Sequence, residues 1–266
     1  MRPFTLTALA LLLGCHRTVP KAAPEPGWRL VWHDEFDRDG PPDPANWTYE
    51  RGFVRNRELQ WYQPENAVVR HGVLVIEARR EARPDHPYTS ASLTTRGRHA
   101  WRYGRFEMRA RIDVRPGLWP AFWTVGEGRR WPASGEIDVM EYYRNMLLAN
   151  VAWADSTGRA AWDDSRLPLD SLAPASGGAT WARDFHVWRM DWDERAITLS
   201  VDGRVLNTTD LATTTNRDGT GVNPLRQPHH LILNLAVGGT QGGDPSATAF
   251  PARFEVDWVR VYQAAR

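Results

Sequence analysis

Three carboxylates stand close together near the middle of the chain, at Glu136, Asp138 and Glu141, and the positions between them are apolar. Crowded carboxylates repel one another and drive their pKa values apart, so a cluster of this kind is unfavourable unless it performs chemistry. The spacing therefore indicates a two-carboxylate acid/base site. The alternative is a chance acidic stretch on a solvated strand.

The run that carries these acids continues through Tyr143 and is rich in Ile, Val, Met and Tyr, which predicts a strand. In an uninterrupted strand Glu136 and Asp138 would share one face, and Glu141 would point to the other. One extra residue between Asp138 and Glu141 would return all three acids to one face, and such bulges are frequent beside active sites. We therefore predict a β-bulge in this strand.

The chemistry that fits this pattern is glycoside hydrolysis with retained anomeric configuration. It needs a nucleophilic carboxylate and a second carboxyl group that is acid first and base later, about 5 to 5.5 Å apart. Glu136 and Glu141 are the candidates, and strand curvature, the bulge and two long side chains must bring them together. Asp138 is expected to hold their protonation states apart, with Glu136 charged and Glu141 protonated near neutral pH.

The rest of the chain shows strand patterns and almost no helix. Apolar and charged residues alternate from Phe106 to Val114, as in a half-buried strand. Further strand candidates are residues 73–78, 185–192, 197–201, 231–237 and 254–262. Asp202-Gly203 is a hairpin turn signal, and residues 156–180 lack periodicity and are predicted to form a long loop. Together these features predict an all-β, antiparallel sandwich.

The order and spacing of several motifs resemble glycoside hydrolase family 16. The acidic run has the bulged E-x-D-x-x-E form of the laminarinase and agarase branches. The other matching segments are residues 31–37, 56–62, 88–91, 103–110, 117–123, 233–239 and 256–263. The resemblance implies an antiparallel jelly-roll β-sandwich of the concanavalin A type, with a substrate cleft on its concave sheet.

Carried over position by position, the resemblance implies that Glu136 is the nucleophile, Asp138 the assisting carboxylate and Glu141 the general acid/base. The implied activity is hydrolysis of internal β-linkages of a polysaccharide by double displacement. A laminarin-like β-1,3-glucan is the first choice of substrate, and an agarase- or carrageenase-like action on a galactan is the second. One departure from the family pattern is Ala152, which stands where family β-1,3-glucanases carry a His that borders the cleft. A carbohydrate-binding sandwich without catalysis and a transglycosylase remain as rival functions.

The chain holds 14 tryptophans, whose flat rings and N–H groups suit stacking on sugars. The candidate substrate-binding residues are Asn56, Arg57, Glu58, Trp119, Trp123, Trp131, Trp153 and Gln241, mostly through the resemblance. Core packing of the tryptophans, and plain loop roles for residues 56–58, are the alternatives. The tryptophans in strand patterns away from the acids are assigned to packing: Trp28, Trp32, Trp188, Trp192 and Trp258.

No cofactor is expected for catalysis, because paired carboxylates need no metal. Family members often hold a structural calcium, and its ligand positions correspond to Glu35, the carbonyl of Gly72 and Asp257; the alternative is a calcium-free hydrogen-bond cluster. The histidines show no zinc-ligand spacing, and the adjacent His229 and His230 should point to opposite faces of a strand. The net charge of +1 gives no electrostatic case for nucleic acid.

The N-terminal residues are predicted to lie outside the fold. Residues 1–14 show a short charged end and an apolar stretch too brief to span a bilayer, and Leu12-Leu13-Gly14-Cys15 resembles a bacterial lipobox. We expect a lipoprotein signal peptide over 1–14, a Pro-rich tether over 15–27 and one catalytic domain over 28–266. The protein would then be a monomeric bacterial lipoprotein outside the cytoplasm, bound to the membrane through a lipid on Cys15. The absence of Asp directly after Cys15 favours the outer membrane, and the alternative is an ordinary signal peptide with an incidental cysteine.

Overall fold

The computed structural model describes residues 25–175 and 177–265. The strands, in chain order, are β1 Trp28–Asp34, β2 Thr48–Glu50, β3 Gln60–Tyr62, β4 Ala67–Arg70, β5 Val73–Ala78, β6 Tyr88–Ser90, β7 Ser92–Thr94, β8 Gly104–Arg111, β9 Leu118–Gly126, β10 Glu136–Tyr143, β11 Met146–Ala154, β12 Ala160–Asp163, β13 Arg166–Pro168, β14 His186–Trp192, β15 Ala196–Val201, β16 Arg204–Asp210, β17 His229–Val237 and β18 Ala252–Ala264. Two one-turn helices, α1 Gly178–Trp181 and α2 Gly239–Gly242, and three 3₁₀ turns, Pro64–Asn66, Leu169–Leu172 and Pro224–Arg226, complete the elements.

Two large antiparallel sheets contain most of the strands. In the first, the outer sheet, the order is β16-β15-β14-β8-β18-β5-β4, with β1 paired to β18. In the second, the cleft sheet, the order is β12-β11-β10-β9-β17-β7-β2, with β13 paired to β11. Strands β3 and β6 form a small parallel pair. This arrangement confirms the predicted all-β antiparallel sandwich of the jelly-roll type.

The hydrophobic core lies between the two sheets. On β14 every second side chain is buried, which is the period expected when one face of a strand packs inward. Phe106 and Met108 of the outer sheet and Phe122 and Leu233 of the cleft sheet are fully buried in one hydrophobic cluster. Burial of side chains of this size stabilises the fold by roughly 1.5–3 kcal/mol each. With one face of the cleft sheet packed against the core, its opposite face is left for a site.

The local predictions hold except in one segment. Asp202 and Gly203 both have positive φ, 48° and 79°, and connect β15 to β16 as the predicted hairpin turn. Residues 156–180 are not one long loop, because β12 and β13 both lie within them and pair with β11. These strands have four and three residues, too few to show an alternation in the sequence. They form by pairing with β11. The prediction of a long loop over residues 156–180 was therefore wrong.

The tryptophans assigned to packing divide into two groups. Trp188 and Trp192 are fully buried, and Trp32 is nearly so. Trp28 and Trp258 are half-buried, and each lies under a guanidinium group, of Arg105 and Arg260 respectively. Five tryptophans therefore serve the outer sheet and its edges rather than the cleft.

The predicted signal peptide, Cys15 and most of the predicted tether fall on residues 1–24, which lie outside the described residues. Within residues 25–175 and 177–265, no helix combines the length and the apolar character needed to cross a membrane.

Candidate active site

The three acids lie on β10, and a bulge separates the first two from the third. Asp138 pairs with Asn150 on β11, whereas Glu141 pairs with Leu148, so three steps along β10 match two along β11. The register against β9 shifts at the same place. The predicted β-bulge is therefore confirmed, and it places Glu136, Asp138 and Glu141 on the same face of the cleft sheet.

An indole holds each of the two glutamates. Trp131 Nε1 donates a hydrogen bond of 2.7 Å to Glu136 Oε2. Trp119 Nε1 donates one of 2.8 Å to Glu141 Oε1. Each indole hydrogen bond involves only one of the two oxygens of the carboxyl group. The two candidate catalytic groups are therefore oriented before a ligand arrives.

Burial dominates the titration of this cluster. It raises the pKa of Glu136 to about 7, against the opposing effect of the Trp131 N–H. Burial, and then the neighbouring Glu136, raise the pKa of Glu141 to about 8. Burial and both glutamates raise the pKa of Asp138 well above its ordinary range. Glu136 is thus the first of the three to ionise, and Glu141 keeps its proton at neutral pH, which is the order predicted from the sequence.

Asp138 is the most enclosed of the three acids, with 1% of its surface exposed. Its Oδ2 accepts no hydrogen bond from the described residues. A buried carboxylate oxygen without a donor is unfavourable, whereas a protonated carboxyl group would donate from it. The side-chain hydrogen bond between Asp138 and Glu136 lowers the pKa of Glu136. Asp138 is therefore best described as a neutral acid that donates to the ionised Glu136.

The acids open into a cleft of about 760 Å³ on the cleft sheet. The sequence-predicted residues that line it are Asn56, Glu58, Trp119, Trp123, Trp131, Glu136, Glu141 and Gln241. Arg57 is exposed and is not among the lining residues. The cleft thus brings together two of the three residues predicted at positions 56–58 and three of the four predicted tryptophans.

Glu58 is fixed by a hydrogen-bond network that reaches the centre of the sheet. It is buried, and its carboxylate accepts from three side chains, those of Asn56, Gln60 and Tyr62. Asn234 on β17 donates to the Tyr62 hydroxyl at 3.1 Å and accepts from Trp123 Nε1 at 2.7 Å. The loop that carries Asn56 and Glu58 is therefore tied to the sheet floor through Tyr62 and Asn234.

Trp153 does not border the cleft, and this prediction was wrong. On β11 the residue opposite Glu136 is Ala152, so Ala152 shares the face of the acids. Successive strand residues point to opposite faces, and Trp153 therefore faces away from the cleft. The tryptophan that lines the cleft on this side is Trp162 of β12, which lies opposite Ala152. Sequence reasoning missed it because residues 156–180 gave no strand signal.

Other lining residues were also missed because they come from separate segments: Glu50, Arg55, Asn150, His230 and Asn234. Two of them carried a sequence signal, since Arg55 adjoins the matching segment 56–62 and Asn234 lies within the matching segment 233–239. As predicted, His229 and His230 point to opposite faces of β17. His229 faces the core and bonds the Thr124 hydroxyl, whereas His230 lines the cleft and bonds Glu127.

The residues predicted to bind calcium do not fit a dication in this arrangement. The Glu35 carboxylate accepts hydrogen bonds from Nε and Nη2 of Arg260, at 2.8 and 2.7 Å. Asp257 is bound by Arg109 at 2.5 Å. Among the residues that the structure describes, no cluster of three or more His, Cys, Asp or Glu side chains suits a metal. Glu35 and Asp257 would have to leave these arginines to bind a cation, and a calcium site at Glu35, Gly72 and Asp257 stays a prediction.

Comparison with known proteins points to one family. The family model described as "Glycosyl hydrolases family 16" matches residues 55–260. A beta-glucanase of Rhodothermus marinus is 38% identical, with 97% of this chain and 94% of that protein covered. A glucan endo-1,3-beta-glucosidase of Cryptopygus antarcticus is 34% identical, with coverage of 88% and 91%. The X-ray structure of the laminarinase from Rhodothermus marinus superposes with a TM-score of 0.75 at 40% identity, covering 90% of this chain and 98% of that one.

Proposed function

Because the chain belongs to glycoside hydrolase family 16, we propose that it is a retaining endo-β-1,3-glucanase that hydrolyses internal linkages of a laminarin-like polysaccharide. The observation that carries the proposal is the bulged strand β10, which presents Glu136, Asp138 and Glu141 on one face of a cleft. The relatives described above support the substrate, since they are named as a beta-glucanase, a glucan endo-1,3-beta-glucosidase and a laminarinase. A galactan as substrate is not favoured.

The reaction proceeds in two displacements. In the first, Glu136 attacks the anomeric carbon while Glu141 donates its proton to the glycosidic oxygen, which leaves with the aglycone. In the second, Glu141, now ionised, takes a proton from water, and the water oxygen displaces Glu136 from the sugar. Asp138 donates to Glu136 in the resting site and so stabilises the ionised nucleophile. The order of the pKa values, with Glu136 below Glu141, is the order that this division of roles requires.

The test is a panel of purified β-1,3-glucan, mixed-linkage glucan, agarose and carrageenan, with new reducing ends measured after incubation. The proposal expects release from β-1,3-glucan, with a range of oligosaccharide lengths early in the reaction. Cleavage of a galactan alone would refute the substrate. Binding without new reducing ends would favour a carbohydrate-binding protein, and products longer than the starting oligosaccharide would favour a transglycosylase.

We also propose that the protein is anchored outside the cytoplasm by a lipid on Cys15. The support is the sequence alone, because Leu12-Leu13-Gly14-Cys15 follows a charged and then apolar N-terminus. Expression of the full chain in a Gram-negative host should leave the activity in the membrane fraction, and Cys15→Ser should move it to the soluble fraction. If both proteins fractionated alike, the anchor would be refuted.

A further inference from the structure

We propose that Trp162, together with Trp131, forms an aromatic wall that binds the sugars on the glycone side of the cleaved linkage. This inference rests on the proposed function, because the direction of the glycan follows from the roles of Glu136 and Glu141. It names a binding residue that the sequence pattern did not predict.

The strand register places Trp162 in line with the nucleophile. Glu136 on β10 lies opposite Ala152 on β11, and Ala152 lies opposite Trp162 on β12. Directly opposed residues on neighbouring antiparallel strands point to the same face of the sheet. The methyl group of Ala152 is short, so no side chain of β11 rises between Glu136 and Trp162. Ala152 itself is fully buried and does not line the cleft, so Glu136 and Trp162 are the residues of this row that reach the cleft.

The two indoles form one surface rather than two isolated side chains. Their ring centroids are 6.5 Å apart and their planes are inclined by 51°. Trp131 is held at the same time by its hydrogen bond to Glu136. Because both rings line the cleft, the wall offers apolar faces to a pyranose ring and an N–H on Trp162 to a hydroxyl group.

Exposure of these rings also indicates a ligand. Trp131 and Trp162 are 52% and 41% exposed. The other exposed large hydrophobic side chains of the described residues are Phe53, Val54 and Val205, and none of the three lines the cleft. Adjacent exposed aromatic residues in a groove are typical of a binding surface.

The direction of the bound glycan follows from the chemistry. The sugar that bonds covalently to Glu136 belongs to the glycone, and the oxygen protonated by Glu141 belongs to the aglycone. Trp131 contacts Glu136, and Trp162 lies in the same cross-strand row as Glu136. The wall therefore belongs to the glycone end of the cleft.

The test uses a series of aryl β-1,3-glucosides with one, two, three and four glucose units, in which the aryl group occupies the aglycone side. In the wild-type enzyme kcat/KM should rise as glucose units are added and contact the wall. Trp162→Ala should lower kcat/KM on the longer members about tenfold, and leave the shortest member nearly unchanged. Trp162→Phe should restore most of the loss, because the flat ring remains. Phe53→Ala, which removes a comparably exposed ring outside the cleft, is the matched control.

The outcomes separate the two claims. If the wild type cleaved laminarin and Trp162→Ala showed the wild-type dependence on chain length, the wall would be refuted and the proposed function kept. An equal loss on all members would also refute it, since that result indicates a structural role. If the wild type cut another β-glycan instead, the proposed substrate would fail. The Kd of Glu136→Gln, with and without Trp162→Ala, would then be measured by calorimetry on oligosaccharides of the glycan that is cut, and equal values would refute the wall.

Discussion

The guanidinium carbon of Arg55 lies 4.8 Å from the centroid of the Trp123 ring. Arg55 also forms an ion pair with Glu50, whose other oxygen accepts a hydrogen bond of 2.7 Å from Ser92 Oγ. Trp123 is mostly buried, and the Arg55 guanidinium covers part of its ring, which the sequence had suggested would stack on a sugar. Arg55 therefore brings a fixed positive charge to the cleft, and that charge lowers the pKa of Glu136 against the effect of burial.

Replacing Arg55 should move the acid limb of the pH profile. Without the cation, the pKa of Glu136 rises further, and a higher pH is needed to ionise the nucleophile. Arg55→Ala should therefore shift the ascending limb of kcat/KM to higher pH, while Arg55→Lys, which keeps the charge, should shift it less. Full pH profiles of the three proteins are the measurement. Superimposable ascending limbs would show that Arg55 does not act on Glu136.

The wild-type pH profile should be bell-shaped and lie above the ordinary carboxyl range. Activity requires Glu136 ionised, so it should rise with pH through about 7. It also requires Glu141 protonated, so it should fall through about 8. The measurement is kcat/KM on a β-1,3-glucan oligosaccharide, which reports the free enzyme. Limbs near the ordinary carboxyl pKa, about 4, would contradict the burial of the pair.

The two glutamates should differ in their dependence on the leaving group. Glu136→Gln and Glu141→Gln should each reduce hydrolysis of the polysaccharide by at least about a hundredfold. An aryl glycoside with an acidic phenol needs no proton on leaving, so formation of the glycosyl-enzyme should be partly restored in Glu141→Gln and not in Glu136→Gln. Stopped-flow measurement of phenol release separates the two. The opposite pattern would exchange the assigned roles.

Thermal stability should fall as the pH rises, because burial raises the pKa of Glu141 on folding. The protonated carboxyl group favours the folded state. Its contribution to the free energy of unfolding is fully present below pH 4.5, the ordinary pKa, and is lost as the pH rises through about 8. Glu141→Gln cannot ionise, and its Tm should decline less between pH 5 and pH 8 than that of the wild type. Calorimetric melting curves of both proteins over this range provide the test, and parallel declines would contradict it.

The sequence by itself determined the acids, the bulge and the all-β character of the chain. Each of these features depends on residues that are close together in the sequence, since the alternation of side chains and the extra residue between Asp138 and Glu141 are properties of one strand. The resemblance added cleft residues from the other matching segments, namely Asn56 and Glu58 from residues 56–62 and Trp119 from residues 117–123.

Tertiary structure decided which other side chains meet the acids. Trp162 lines the cleft because β12 pairs with β11 and places Trp162 opposite Ala152. Trp153 follows Ala152 on β11 and therefore points to the other face of the sheet. Arg55 contacts Trp123 from a loop that is distant in the sequence, and no local sequence pattern predicts this contact. The physical reason is that strand periodicity fixes the faces of a strand relative to one another, whereas only pairing between distant segments fixes which face meets which neighbour.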